Sequence, residues 1–216
     1  MKALGDEVLA EVERFVRRHE AAQNALVLEH VASASEGLGA GPLCAAVGQA
    51  LGVGGELSRG VALAVALTEV ASAALRSLDP EAERGGGQVQ AKHGLPLALN
   101  SADALFGLAH VALSEIESSE GGRRPGLAAA FDTLALGVWE ALAAGDARGA
   151  LGRMAGELAG RAAGKDEATV AALGRFGAAV SEAAAGETSR LGSARAALEG
   201  TNLSQGEREA LSALLR

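Results

Sequence analysis

Apolar residues recur along the chain at helical spacing, and Gly and Pro cut the pattern into helix-sized pieces. Val8, Val12 and Phe15, continued by Ala22, Leu26 and His30, predict a first helix over roughly 7–35. Glycines at 37, 39 and 41 break it, and Pro42 opens a second helix that ends at Leu51 before Gly52-Val53-Gly54-Gly55. Ser58 is placed to cap a long apolar helix reaching about Ser77, followed by a loop from Asp79 to Gly87. The next helix, about Pro96 to Ser118, is apolar on nearly every face, a pattern expected of a helix in the middle of a bundle. Helices over about 126–144, 147–163 and 166–185 and a shorter C-terminal pair follow, with Asp166 as a cap for its helix. The prediction is eight or more helices in one all-α bundle, a single domain over residues 1–216.

Composition strengthens that reading. Of 216 residues 50 are Ala and 30 are Gly, against one Ile, no Tyr and four Phe. Ala loses little on entering a helix, whereas strands favour the β-branched and aromatic residues scarce here. At 49% hydrophobic the chain has the apolar content to fold around a core. The net charge, 19 − 27 = −8, disfavours a phosphate backbone as partner. The lone Cys44, set among apolar residues, suits a reducing compartment. The N-terminal stretch is too charged for a signal peptide, and the longest apolar run, Val61 to Leu67, is too short to span a membrane. A cytoplasmic protein is expected.

Chemistry must come from polar residues inside apolar helices. Asn100, Asp103, His110 and Ser114 fall in one stripe and form either the polar end of an internal cavity or a satisfied core network with an exposed helix start. A buried Asp103 requires a partner, for which Lys92 and His93 are the candidates. Asp79, Glu81 and Glu83 are carboxylates of the kind Mg²⁺ takes, although their spacing around Pro80 reads as a solvated loop. No phosphate-binding Gly-Lys-Ser/Thr loop, zinc pattern or nucleophile elbow is present.

Several segments resemble, in order, those of the trans-type polyprenyl (isoprenyl) diphosphate synthases. Pro42 and the helix ending Gln49-Ala50-Leu51-Gly52 are similar to the family's helix after its Gly-Lys-Arg-Leu-Arg-Pro segment. Lys92-His93-Gly94 and Leu97 to Phe106, with Asp103-Ala104-Leu105, resemble the stretch ending in Gly-Asp-Ala-Leu-Leu. Glu167 to Val170 and Leu173 to Gly177 resemble the helix leading to the second aspartate motif, and Ala194 to Leu215 the closing helices. The resemblance implies the isoprenoid synthase fold, in which two Asp-Asp-x-x-Asp motifs hold Mg²⁺ against an allylic diphosphate that is extended with isopentenyl diphosphate.

This sequence departs from the pattern where that chemistry is carried. Leu78-Asp79-Pro80-Glu81-Ala82 stands at the first aspartate motif and Thr188-Ser189-Arg190-Leu191-Gly192 at the second. Arg84 is left of the paired arginines, and Gly37-Leu38-Gly39-Ala40-Gly41 of the Lys/Arg segment. Ala147-Arg148-Gly149 replaces Lys-Thr-Gly, with Asp132 and Ala135 at the family's Gln and Asp. Two pyrophosphates require clustered carboxylates for metal and cations for phosphate. The expectation is therefore a non-catalytic homologue without a cofactor. It would act as a partner or regulatory subunit, homodimeric or paired with an active synthase, or as a binder of an apolar or prenyl ligand. Asp79, Lys92, His93 and Asp103 are the candidate cavity or ligand-binding residues; no catalytic residue or metal ligand is assigned. The alternative is an active prenyltransferase with Mg²⁺ held by Asp79, Glu81, Glu83 and Asp103.

Overall fold

The computed structural model describes residues 2–19, 24–34, 38–78, 88–119, 125–144 and 147–216. Among them are eleven helices and no strand. They are α1 (Lys2–Arg18), α2 (Asn24–Ala34), α3 (Ala40–Ala50), α4 (Gly55–Arg76), α5 (Gln88–His93) and α6 (Leu95–Ser119). There follow α7 (Pro125–Ala143), α8 (Arg148–Ala162), α9 (Glu167–Ala184), α10 (Arg190–Ala197) and α11 (Gln205–Ala213). The first predicted helix is thus two, α1 and α2. A short α5 precedes α6, joined through Gly94, whose φ of 83° is the left-handed turn that glycine adopts without steric penalty. The predicted loop from Asp79 to Gly87, with Glu81, Glu83 and Arg84, lies outside the described residues.

Helix α4 occupies the centre. Val61 to Thr68 form an unbroken buried run, which only a helix surrounded on all sides can carry. Both α4 and Leu95–Ile116 of α6 are long and apolar enough by composition to cross a membrane, more than the short run of the sequence reading suggested. In α4 that apolar surface is used up in the core. Helix α6 was expected in the middle and is not there. Its buried residues, Ala98, Ser101, Ala102, Leu105, Ala109, Ala112, Leu113 and Ile116, take one side, while Leu95, Leu97, Leu99 and Val111 are exposed. One hydrophobic core extends from Val8 to Leu215.

The ends of the helices follow local rules in part. Asp166 caps α9, its Oδ1 accepting from the Thr169 amide at 2.8 Å, and Ser204 with Glu207 forms a reciprocal capping box on α11. Ser58 does not cap α4. The helix starts four residues earlier in sequence than its predicted first residue, behind Gly54, and Ser58 is buried within its first turns.

Helix α2 is fastened to α5 and α6 by two adjacent side chains. Glu29 accepts from Lys92 Nζ at 2.8 Å and lies 3.1 Å from His93 Nε2. The buried His30 Nε2 lies 2.9 Å from Ser101 Oγ. Ser101 donates its only proton to the Ala98 carbonyl at 2.9 Å, so its oxygen accepts from His30 and Nε2 carries hydrogen. Burial lowers the His30 pKa below its ordinary 6.5, opposed by the Ala98 carbonyl and Glu29. The unfolded chain therefore binds a proton at His30 before the folded one does, and stability falls as pH drops below about 6.5 toward the lowered value. Thermal melts at pH 7.5 and 6.0 should show this loss in the wild type and a smaller one in His30→Gln.

Candidate functional site

A cleft of about 330 Å³ opens where the N-terminus of α3, the second half of α4, and α8 and α9 meet. Its position follows from a close approach of α3 to α4. Gly41 lies so near α4 that an added Cβ would stand 2.7 Å from that of Ala66, a separation only glycine permits. One turn beyond Ala66, Glu69 is thereby delivered to the open end of α3. Its Oε1 accepts from the Gly39 amide at 2.8 Å and its Oε2 from Ala40 at 3.0 Å and Gly41 at 3.3 Å. This is the arrangement in which a helix N-terminus holds an anion, here supplied by the chain itself. Burial raises the Glu69 pKa above the ordinary carboxylate value, against the amide hydrogen bonds and Arg76, which lower it.

The rest of the cleft holds Arg148 and Leu151 from α8, and Val180, Ser181, Ala184 and Ala185 from the end of α9. Behind it α8 and α9 run almost in backbone contact. An added Cβ on Gly156 would fall on the Leu173 carbonyl, and one on Gly152 would stand 2.5 Å from the Gly177 carbonyl. Among the described residues that line it, the cleft thus contains one carboxylate, whose oxygens already accept hydrogen bonds. Among the described residues no group of three or more His, Cys, Asp or Glu side chains is arranged to hold a metal ion.

No protein-family model and no curated protein matches this chain. Solved structures do. A geranylgeranyl pyrophosphate synthetase from the archaeon Geoglobus acetivorans superposes with a TM-score of 0.73 at 14% identity, covering 100% of this chain and 99% of the other. A farnesyl/geranylfarnesyl diphosphate synthase from Zymomonas mobilis does so with a TM-score of 0.70 at 16% identity, over 100% and 97%. The chain has the isoprenoid synthase fold. The geranyl diphosphate synthase small subunit from Antirrhinum majus is also similar, with a TM-score of 0.66 at 15% identity over 98% of each chain.

Among the described residues, Lys92 and His93 come together on Glu29 and Asp103 does not join them. Lys92 and His93 are engaged by Glu29 of α2. Asp103 is exposed on α6, so the partnership expected for a buried carboxylate does not form. The stripe it belongs to faces away from the core: Asn100 and Ser114 are exposed, and His110 Nδ1 donates to the Phe106 carbonyl of the preceding turn at 2.8 Å. Asp79 lies outside the described residues. Arg148, the middle residue of the Ala147-Arg148-Gly149 segment compared with Lys-Thr-Gly, does reach the cleft. The segment Thr188–Gly192 lies past the end of α9, and the residues α9 presents to the cleft come from its last turns instead. Glu69 was missed. Its signal was available as the lone acid in the apolar stretch from Val61 to Leu75, where an ionised side chain requires donors.

Proposed function

We propose that this protein is a non-catalytic homologue of the polyprenyl diphosphate synthases that acts as a partner subunit, assembling with a second chain of the same fold. The observation that carries this reading is the exposed apolar surface of α6 and α7. Leu136 is 61% exposed, Trp139 72% and Leu142 40%, at i, i+3 and i+6 on the outward side of α7. On α6, Leu97 and Val111 are exposed as well, and stacking of His110 on Phe131, centroids 6.1 Å apart, joins the two helices. A large aromatic ring and several leucines left to water on adjoining helices mark an interaction surface rather than scattered exposure.

The cleft supports the non-catalytic part of the reading. Ionisation of an allylic diphosphate depends on metal and cations aimed at the leaving group. Among the described residues, the carboxylate lining this cleft is committed to the amides of α3, and the end of α9 contributes Val180, Ser181, Ala184 and Ala185. Two similar structures are described as a small subunit of geranyl diphosphate synthase and as a heterotetrameric geranyl pyrophosphate synthase, which supports a subunit role.

Two measurements test the proposal. Sedimentation of the purified 21.5 kDa chain should give at least twice that mass, and the Leu136→Glu/Trp139→Glu variant should sediment as a folded monomer. Incubation with Mg²⁺, isopentenyl diphosphate and a series of allylic diphosphates should yield no longer prenyl product, with an active synthase as control. A wild type that stays monomeric both alone and when mixed with an active synthase would overturn the subunit reading. Metal-dependent product abolished by Asp79→Ala or Asp103→Ala would establish the prenyltransferase alternative.

A further inference from the structure

A second cleft, of about 570 Å³, lies between α1, the C-terminal end of α3 and the first turns of α4. Ser58 and Glu69 are separated along α4 by roughly 16 Å at 1.5 Å per residue, so this cleft is remote from the one at Glu69. Its volume is that of sites that take small organic ligands. Its floor is apolar, built from the buried Val8, Ala45, Ala62 and Leu63.

Three features at its α4 edge favour an anionic group. The 22-residue α4 starts behind Gly54 with no side chain capping its first-turn amides, and Glu56, the acid of that turn, is exposed and does not line the cleft. Ser58 lines the cleft, is only 6% exposed, and its hydroxyl makes no hydrogen bond among the described residues. Buried hydroxyls are nearly always paired, and this one has the cleft to draw a partner from. Gly48 of α3 leaves the space it occupies, since an added Cβ there would stand 2.8 Å from Ser58 Oγ. Arg59 also lines the cleft and, exposed, forms no ion pair among the described residues.

The opposite edge, on α1, carries Glu7, Glu11 and Arg14. Arg14 donates to Glu11 at 2.6 Å, so that pair is internally neutralised and Glu7 is set against Arg59. The charge across the cleft is therefore polarised, with its positive end at α4. We propose that this cleft binds a small amphiphile with an oxyanion head, a phosphate or a carboxylate. The head accepts hydrogen bonds from Ser58, the first-turn amides of α4 and Arg59, and the hydrocarbon lies over Val8 and Leu63.

Titration of the full ¹⁵N-labelled chain with octyl phosphate and, separately, octanoate and octylammonium tests this. Saturable amide shifts at Gly55, Ser58 and Leu63 are expected with both anions, and their relative affinities decide between phosphate and carboxylate. Arg59→Ala, an exposed substitution compatible with folding, should weaken binding about tenfold, as loss of a charge-assisted hydrogen bond does. Ser58→Ala should weaken it by a smaller factor. Equal binding of octylammonium, unchanged affinity in Arg59→Ala, or shifts confined to the apolar residues of α6 and α7 would overturn the proposal.

Discussion

Gly156→Ala is expected to lower the melting temperature by about 6–12 °C, from a loss of about 3 kcal/mol at the upper end of ordinary overpacking. The methyl group would land on the Leu173 carbonyl, part of a helix backbone that cannot rotate away as a side chain can. Relief requires α8 and α9 to separate along their length, which disturbs Gly152 against Gly177 and Gly160 against Leu173 as well. Gly107→Ala supplies the control. Gly107 is exposed in the middle of α6 with nothing within 4 Å of an added Cβ, so the same substitution should stabilise by about 0.5–1 kcal/mol through helix propensity. Differential scanning calorimetry of the two variants decides the matter. A melting temperature for Gly156→Ala within a degree of wild type would show that the helices do not touch as described.

The second large effect is expected at Phe176. With no Tyr and four Phe in the chain, the core has few large side chains, and Phe176 is one of those fully enclosed. Phe176→Ala should cost about 3–5 kcal/mol, the transfer term plus the cavity left behind. Urea unfolding should show the midpoint falling with the slope unchanged. A loss under about 1 kcal/mol would mean that α9 settles inward to fill the space. Phe176→Leu, which restores much of the volume, should recover most of the stability.

Both predictions concern a core made mostly of Ala, Gly, Leu and Val, and that composition explains why some of the molecule was legible in sequence and some was not. The elements were legible because helix periodicity is local. Asp166 could be recognised as the cap of α9 from its place before the first apolar residue, and its Oδ1 does bond the Thr169 amide. Ser58 met the same local criterion and failed, because the helix continues through Gly55–Leu57 on the strength of packing rather than capping. The ordered match to the polyprenyl synthases gave the fold, since shared length and order of helices survive where identities have fallen to 13–20% in the similar structures.

What the sequence by itself determined was an all-α chain and its approximate helices. Only the tertiary structure decided which apolar face is inside. Helices α4 and α6 have similar apolar composition, yet α4 is enclosed on all sides and α6 leaves Leu95, Leu97, Leu99 and Val111 to water. Burial depends on neighbours that periodicity within one helix does not specify. Pairing is decided in the same way. Asp103 looked buried and is exposed, while Glu69 finds the amides of α3 because glycine at 41 lets the start of α3 touch the second half of α4. A side chain's partner is set by distances across the fold, and those exist only once the chain has closed on itself.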